Sequence, residues 1–217
     1  MKNPVFVCLV AVSLCSCGVL LKGKKKQQVQ EELAAMVKQD QIAAGIPQGE
    51  YKNLTPAQWD AFKDSTFTTH RKRINKLFTK YGFLGYKQVG KEGSQNFWLM
   101  VQHSDADPSF QKKILAAMDR AVKKKDANPA QFAYLTDRVA VNAGEQQVFG
   151  TQVTYEVNTT GRAIPKIGLI DSVNVDVRRK EYELGPLKDY LNMMTESHYE
   201  MNKERYVRMG ILSPRLY

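Results

Sequence analysis

Between residues 50 and 130 an N-capping side chain stands directly before a proline three times: Thr55-Pro56, Asp107-Pro108 and Asn128-Pro129. The cap oxygen accepts an orphan backbone N–H. Proline at the first helical position fixes φ and gives up only an N–H that has no helical partner. Gln58 lies three residues after Thr55, where a capping box needs it, and Asn128-Pro129-Ala130-Gln131 repeats the signature. A chain with three such starts is constrained to a largely helical body. The first start predicts a helix to about Tyr81, with Trp59, Phe62, Phe67, Ile74, Leu77 and Phe78 as its buried stripe and Gly82 as its stop. The second predicts a helix to about Lys125, and the third one to about Asn142 with Gly144 beyond it. Upstream, Gln27 to Ala44 carries Leu33, Met36, Val37 and Ile42 at helical spacing. Phe83 to Lys91 reads as a glycine-bearing loop, and Gly93 to His103 as a short helix.

The pattern changes after Gly144. Gln147 to Val157 is rich in β-branched and aromatic residues, with Val153, Tyr155 and Val157 alternating against Thr154 and Glu156. Asn158 to Gly161 is a turn, and Arg162 to Ile170 returns as a second strand that Pro165 confines to an edge. From Ser172 the chain is helical again, broken at Gly185-Pro186 and ending in a charged helix to about Arg208. The fold class expected is mostly α (α+β): a helical domain over 27–190 with a small β hairpin around residues 147–170, then a C-terminal helical extension over 191–217. Trp98 and Phe132 are the expected aromatic anchors of the core.

Cysteines occur at positions 8, 15 and 17 and nowhere beyond. The body therefore has no internal disulfide, thiol nucleophile, cysteine-ligated zinc or iron–sulfur cluster, and its apolar core must hold it together. An apolar fraction of 43% is ordinary for a globular chain. The first residues form a secretory signal: Lys2, then the apolar run Val5 to Leu14, too short to span a bilayer. Leu14-Cys15-Ser16-Cys17 resembles the lipobox of bacterial lipoproteins. That resemblance implies a signal peptide over 1–16, lipid on Cys17, a basic tether over 17–26, and a bacterial cell-envelope location facing the periplasm or cell exterior. A plain secretory peptide with incidental cysteines is the alternative. The formal net charge is +10, and Lys22, Lys24, Lys25 and Lys26 follow the anchor directly. Basic residues beside an acyl chain are attracted to anionic headgroups, by about 1 kcal/mol each near the surface. The expected partner is thus the membrane, through the lipid anchor. Nucleic acid, the other usual partner of a basic chain, is set aside because an exported protein does not meet it.

Three polar clusters remain: Gln102-His103-Ser104-Asp105-Ala106-Asp107, Thr136-Asp137-Arg138, and Gln146-Gln147-Val148-Phe149-Gly150-Thr151-Gln152. Together they resemble a bacterial family known only as a domain of unknown function. Its members carry Val-Gln-His-x-Asp-x-Asp, then Tyr-Leu-x-Asp-Arg-Val, then Gln-x-aromatic-Gly-Thr-Gln. Here these are Val101 to Asp107, Tyr134 to Val139 and Gln147 to Gln152. The resemblance implies a mostly helical fold and no stated activity.

The candidate site residues are Gln102, His103, Asp107, Asp137, Arg138, Gln147, Thr151 and Gln152, with Cys17 as the lipidation residue. His103 suits a general base, or a metal ligand with Asp105 and Asp107. The ligand set is thin, and neither a metal nor another cofactor is implied. Asp107 before Pro108 is more simply a helix cap. Arg138 suits a bidentate clamp on a carboxylate or phosphate, and Asp137 an orienter of His103. Gln147, Thr151 and Gln152 offer neutral donors and acceptors for a small polar ligand, with Phe149 as a stacking face. A structural network of ion pairs and hydrogen bonds joining helices is the plainer reading of Asp137 and Arg138, a helix-terminal histidine beside a cap that of His103, and a loop-to-strand junction stands level with ligand binding for 147–152. There is no Gly-x-Ser-x-Gly, His-Glu-x-x-His, Walker A or Gly-x-Gly-x-x-Gly pattern. Two functional readings follow: a binding or structural envelope lipoprotein, and an envelope hydrolase using His103, Asp137 and Arg138 with Gln152.

Overall fold

The computed structural model describes residues 19–217; the leader, the Leu14–Cys17 motif and Cys17 itself lie outside the described residues. Five helices build the body: α1 (Gly23–Ala44), α2 (Pro56–Tyr81), α3 (Tyr86–Gln102), α4 (Pro108–Lys123) and α5 (Pro129–Asn142). All three capped starts open helices as read. Thr55 and Gln58 close the reciprocal box, Asp107 accepts from Phe110 N at 3.0 Å, and Asn128 accepts from Gln131 N at 3.0 Å. Leu33, Ile74, Leu77, Val89, Phe97, Met100, Ile114, Met118 and Leu135 are at the centre of the core. The two expected anchors lie at its margin. Trp98 and Phe132 are only partly buried; the Trp98 indole N–H donates to Gln131 O at 2.9 Å, and Phe132 stacks on Tyr182.

Two local readings change. The segment 83–91 is not a loop throughout: α3 begins at Tyr86 and kinks at Gly90, whose φ of 74° and ψ of 174° only glycine adopts freely. A glycine placed to kink a helix gives the same local signal as one that ends it. In α1, which begins at Gly23, the buried stripe is Val29, Leu33, Met36, Asp40 and Ala43, while Ile42 stays 40% exposed. An acid therefore holds a core position.

The five body helices alternate in direction, as the contacts at their ends show. At one pole the Gln88 amide joins the start of α1 to the end of α2, taking Leu21 N at 2.8 Å and donating to Tyr81 O at 2.9 Å. Tyr86 N donates to Asp126 O at 2.9 Å, which brings in the end of α4. Lys22, Lys24 and Lys25, then Lys80, Lys87 and Lys123 to Lys125, are exposed on the segments that meet there. The opposite pole joins the end of α1, the first half of α2 and the corner between α3 and α4.

The hairpin is shorter than its pattern suggests: β1 (Val153–Tyr155) pairs antiparallel with β2 (Ala163–Pro165), Thr154 opposite Ile164. Residues 148–151 do not join it because the Asp137 carboxylate takes the N–H groups of Val148, Phe149 and Thr151, while Gln147 makes only an isolated parallel bridge with Leu169. Beyond it lie α6 (Val175–Glu181), α7 (Leu187–Met201) and α8 (Lys203–Arg208). The expected last helix breaks at Asn202, whose amide donates to His198 O at 2.9 Å. Helix α7 runs without a break through 190 and 191, where an extension was expected to begin, and its Thr195 hydroxyl accepts Ala163 N at 2.9 Å. No helix of the described residues is long and apolar enough to cross a membrane.

Candidate functional site

The acid in the α1 stripe has a partner. Asp40 is fully buried, and its Oδ2 accepts from His103 Nδ1 at 2.6 Å across 63 residues of sequence. On its other side Oδ1 lies 3.7 Å from His70 Nδ1 of α2. Neither of these two atoms makes a hydrogen bond, and Gln102 Nε2 is a third buried atom in that condition among the described residues. Burial pushes the Asp40 carboxyl up, but the bonds and charge from His103, with His70 and Gln41 beside it, outweigh that and hold it below the usual carboxylate range.

His103 caps the end of α3, and its ring lies on an open cleft of about 430 Å³. Ala43 to Gly45 of α1, Lys63 to Arg71 of α2, the corner residues His103 to Ala106, and Arg138 of α5 supply the walls. Phe67 packs on the His103 ring, with centroids 5.4 Å apart. Arg138 engages Asp105 through both Nε, at 2.8 Å, and Nη2. Asp105 also accepts from Asn142 at 2.8 Å and Gln111 at 3.0 Å. Burial raises this carboxyl, and the Arg138 pair and two amides more than reverse the effect, so it sits below its ordinary range. The third edge of Arg138, Nη1, reaches only Gln152 Oε1 at 3.5 Å. Arg71 Nη1 stands 3.7 Å from Asp107 Oδ2, beyond a hydrogen bond. Both guanidinium groups therefore keep N–H groups for a ligand.

Asp137 belongs elsewhere. It is fully buried, and its two oxygens accept the backbone N–H groups of Val148 (2.8 Å), Phe149 (3.0 Å) and Thr151 (2.8 Å) and the Thr151 hydroxyl (2.9 Å). The expectation that it orients His103 is corrected: that role falls to Asp40. Burial is the larger effect on Asp137 and leaves its carboxyl above the usual range despite four donors. Arg179 grips the same loop from the other side, donating to Phe149 O and Gly185 O, each at 2.7 Å, with its guanidinium over the Tyr190 ring. Gln147 donates to Gln152 O and Lys166 O and accepts Gln152 N. Gly150, at φ 72°, approaches Leu187 so closely that a Cβ would lie 2.9 Å from its Cδ1. Phe149 is buried against Tyr182 and is not a stacking face.

The eight candidates thus divide. His103 and Arg138 line the cleft, Asp107 caps α4 at its edge, and Gln152 stands behind Arg138. Gln102, Asp137, Gln147 and Thr151 are buried and do not line it. No group of three or more metal-ligating side chains occurs among the described residues.

A family model described as a family of unknown function, DUF6624, matches residues 27–203. The chain belongs to DUF6624. No curated protein and no solved structure matches it. The DUF6624 segment takes in all three polar clusters and extends through α7.

Three residues around the cleft were missed in sequence: Asp40, His70 and Arg71. Asp40 follows Val29, Leu33 and Met36 at helical spacing, and His70 precedes Ile74 and Leu77 in the same way. A titratable residue at a core position was the available signal. Arg71 gave none, because it sits in the basic run Arg71-Lys72-Arg73.

Proposed function

We propose that this protein is a lipoprotein of the bacterial cell envelope, anchored through Cys17, whose cleft binds a small ligand carrying phosphate or carboxylate groups. One observation carries the binding reading: Arg71 and Arg138, from two different helices, bring incompletely engaged guanidinium groups to the same open cleft as His103. Planar guanidinium groups suit the oxygens of such anions. Anchoring is supported by the Leu14-Cys15-Ser16-Cys17 sequence and by the lysines collected at the pole where α1 begins. Several lysines facing one way attract an anionic surface by about 1 kcal/mol each, and they lie at the opposite pole from the cleft.

Two measurements test this. Cys17→Ser should abolish lipid labelling and release the protein from membranes, whereas Cys15→Ser should do neither; an unmodified N-terminus at or beyond residue 17 in the wild type rejects the anchor. Calorimetric titration of the detergent-solubilised full-length protein with inorganic phosphate and with small dicarboxylates should give binding that weakens with salt and is lost in Arg71→Ala. Binding that is indifferent to Arg71 and Arg138 rejects the cleft as the ligand site.

A further inference from the structure

We propose that the cleft is a hydrolytic site in which His103 is the general base and Asp40 its positioning residue, acting on a small phosphoester. This rests on the anion-binding reading above. The argument begins with Asp40, which occupies a core position of α1 where an apolar side chain would pack at less cost. Among the described residues it has no lysine or arginine ion pair, only imidazoles. A buried carboxylate kept on such terms is a burden on stability that function explains.

What Asp40 does is fix His103. A carboxylate only accepts, so the 2.6 Å contact puts a proton on Nδ1 and leaves Nε2 as the basic nitrogen. The same negative charge stabilises the imidazolium that forms when Nε2 takes a proton. Phe67 holds the ring plane, and His70 closes the far side of the carboxylate. The charged groups sharing the cleft with His103 are Lys63, Arg71 and Arg138 against Asp64 and Asp105. Asp105 is already engaged by Arg138, Asn142 and Gln111.

The nucleophile is water. Ser104 is buried and its hydroxyl donates back to Met100 O at 2.8 Å, Thr68, the other hydroxyl of the cleft, makes no hydrogen bond to His103, and the body of the chain has no cysteine. Without an activated hydroxyl or thiol, an acyl-enzyme route has no starting point, whereas two guanidinium groups match the non-bridging oxygens of a phosphoryl group undergoing in-line displacement. The water oxygen bonds to phosphorus as its proton passes to His103 Nε2. The bond from phosphorus to the ester oxygen breaks on the opposite face, where that oxygen takes a proton from bulk water, and the imidazolium returns its own proton to bulk water. An alcohol and a phosphate leave, and neutral His103 is restored.

The test uses the detergent-solubilised full-length protein with p-nitrophenyl phosphate and bis(p-nitrophenyl) phosphate as substrates and inorganic phosphate as the binding probe. His103→Ala should lower kcat by about 10²–10⁴-fold and leave phosphate affinity unchanged. Asp40→Asn should lower kcat and leave KM unchanged, because an amide no longer obliges Nδ1 to carry the proton and no longer stabilises the imidazolium that forms. Asp40→Leu should abolish turnover while unfolding at or above the wild-type temperature. Phosphate binding without hydrolysis of either ester, or hydrolysis equal in wild type and His103→Ala, overturns the catalytic inference and leaves the binding site standing. Absence of phosphate binding overturns both.

Discussion

The cleft and the 147–152 loop are built from the same residue types and differ in how fully those residues are satisfied. Around the loop, Asp137 takes four donors, Arg179 gives to two carbonyls, and Gln147 uses both ends of its amide. Around the cleft, Asp40 Oδ1 and His70 Nδ1 lack partners, and both arginines keep N–H groups free. A closed network returns all its hydrogen-bonding capacity to the fold; an open one withholds some for something outside it. Aspartate, arginine and glutamine in a motif do not announce which of the two they will build.

The largest effect should come from the closed side. Asp137→Ala strands four donors, three of them buried, and should cost about 3–5 kcal/mol in chemical denaturation. A loss below about 1 kcal/mol would mean that the loop is held by its apolar contacts. Gly150→Ala comes next, at about 1–3 kcal/mol, because alanine is strained at φ 72° and its Cβ meets Leu187. On the open side Arg138→Ala should change stability by at most about 1 kcal/mol, since its partner Asp105 is 44% exposed and keeps two amide donors. A cost matching that of Asp137→Ala would erase the distinction between the regions.

Proton affinity sharpens the comparison further. Asp40 and Asp105 titrate below the ordinary carboxylate range and Asp137 above it. In the first two the ionised form is favoured over the protonated one by a stability difference that is complete above the unfolded-state value of about 4 and is lost as pH falls through their depressed folded values. Asp137 has the opposite sign: its contribution is complete below that value and declines as pH rises towards its raised folded one. Carboxyl-carbon NMR titration should resolve Asp137 from the other two; one common titration would refute the contrast.

Much of the fold was legible because its signals are local. A cap, a proline and a stop lie within a few residues of the structure they dictate, so Thr55, Asp107 and Asn128 each opened the helix expected of them. Gly90 misled because a kink and a terminus share one residue type. The hairpin shrank because Asp137 and Gln147 captured backbone groups that alternation alone assigns to a strand. The site was half legible: His103 and Arg138 stood out in their clusters, but the bond from His103 to Asp40 spans 63 residues and exists only once α1 and α3 pack. Asp137 was assigned to the wrong partner for the same reason, since its ligands come from a loop beyond the end of its own helix.

The length of α1 has a consequence of its own. At about 1.5 Å per residue its 22 residues separate the lysine pole from the cleft by about 33 Å. In the proposed anchored orientation that interval is several times the screening length of physiological salt, about 8 Å. An anionic substrate at the cleft would feel almost nothing of the negative lipid surface below, so one end of the protein can seek that charge while the other receives molecules the charge would repel. So anchored, the rod would act as an electrostatic insulator and would direct the cleft to solutes arriving from the aqueous side and not to headgroups within the bilayer.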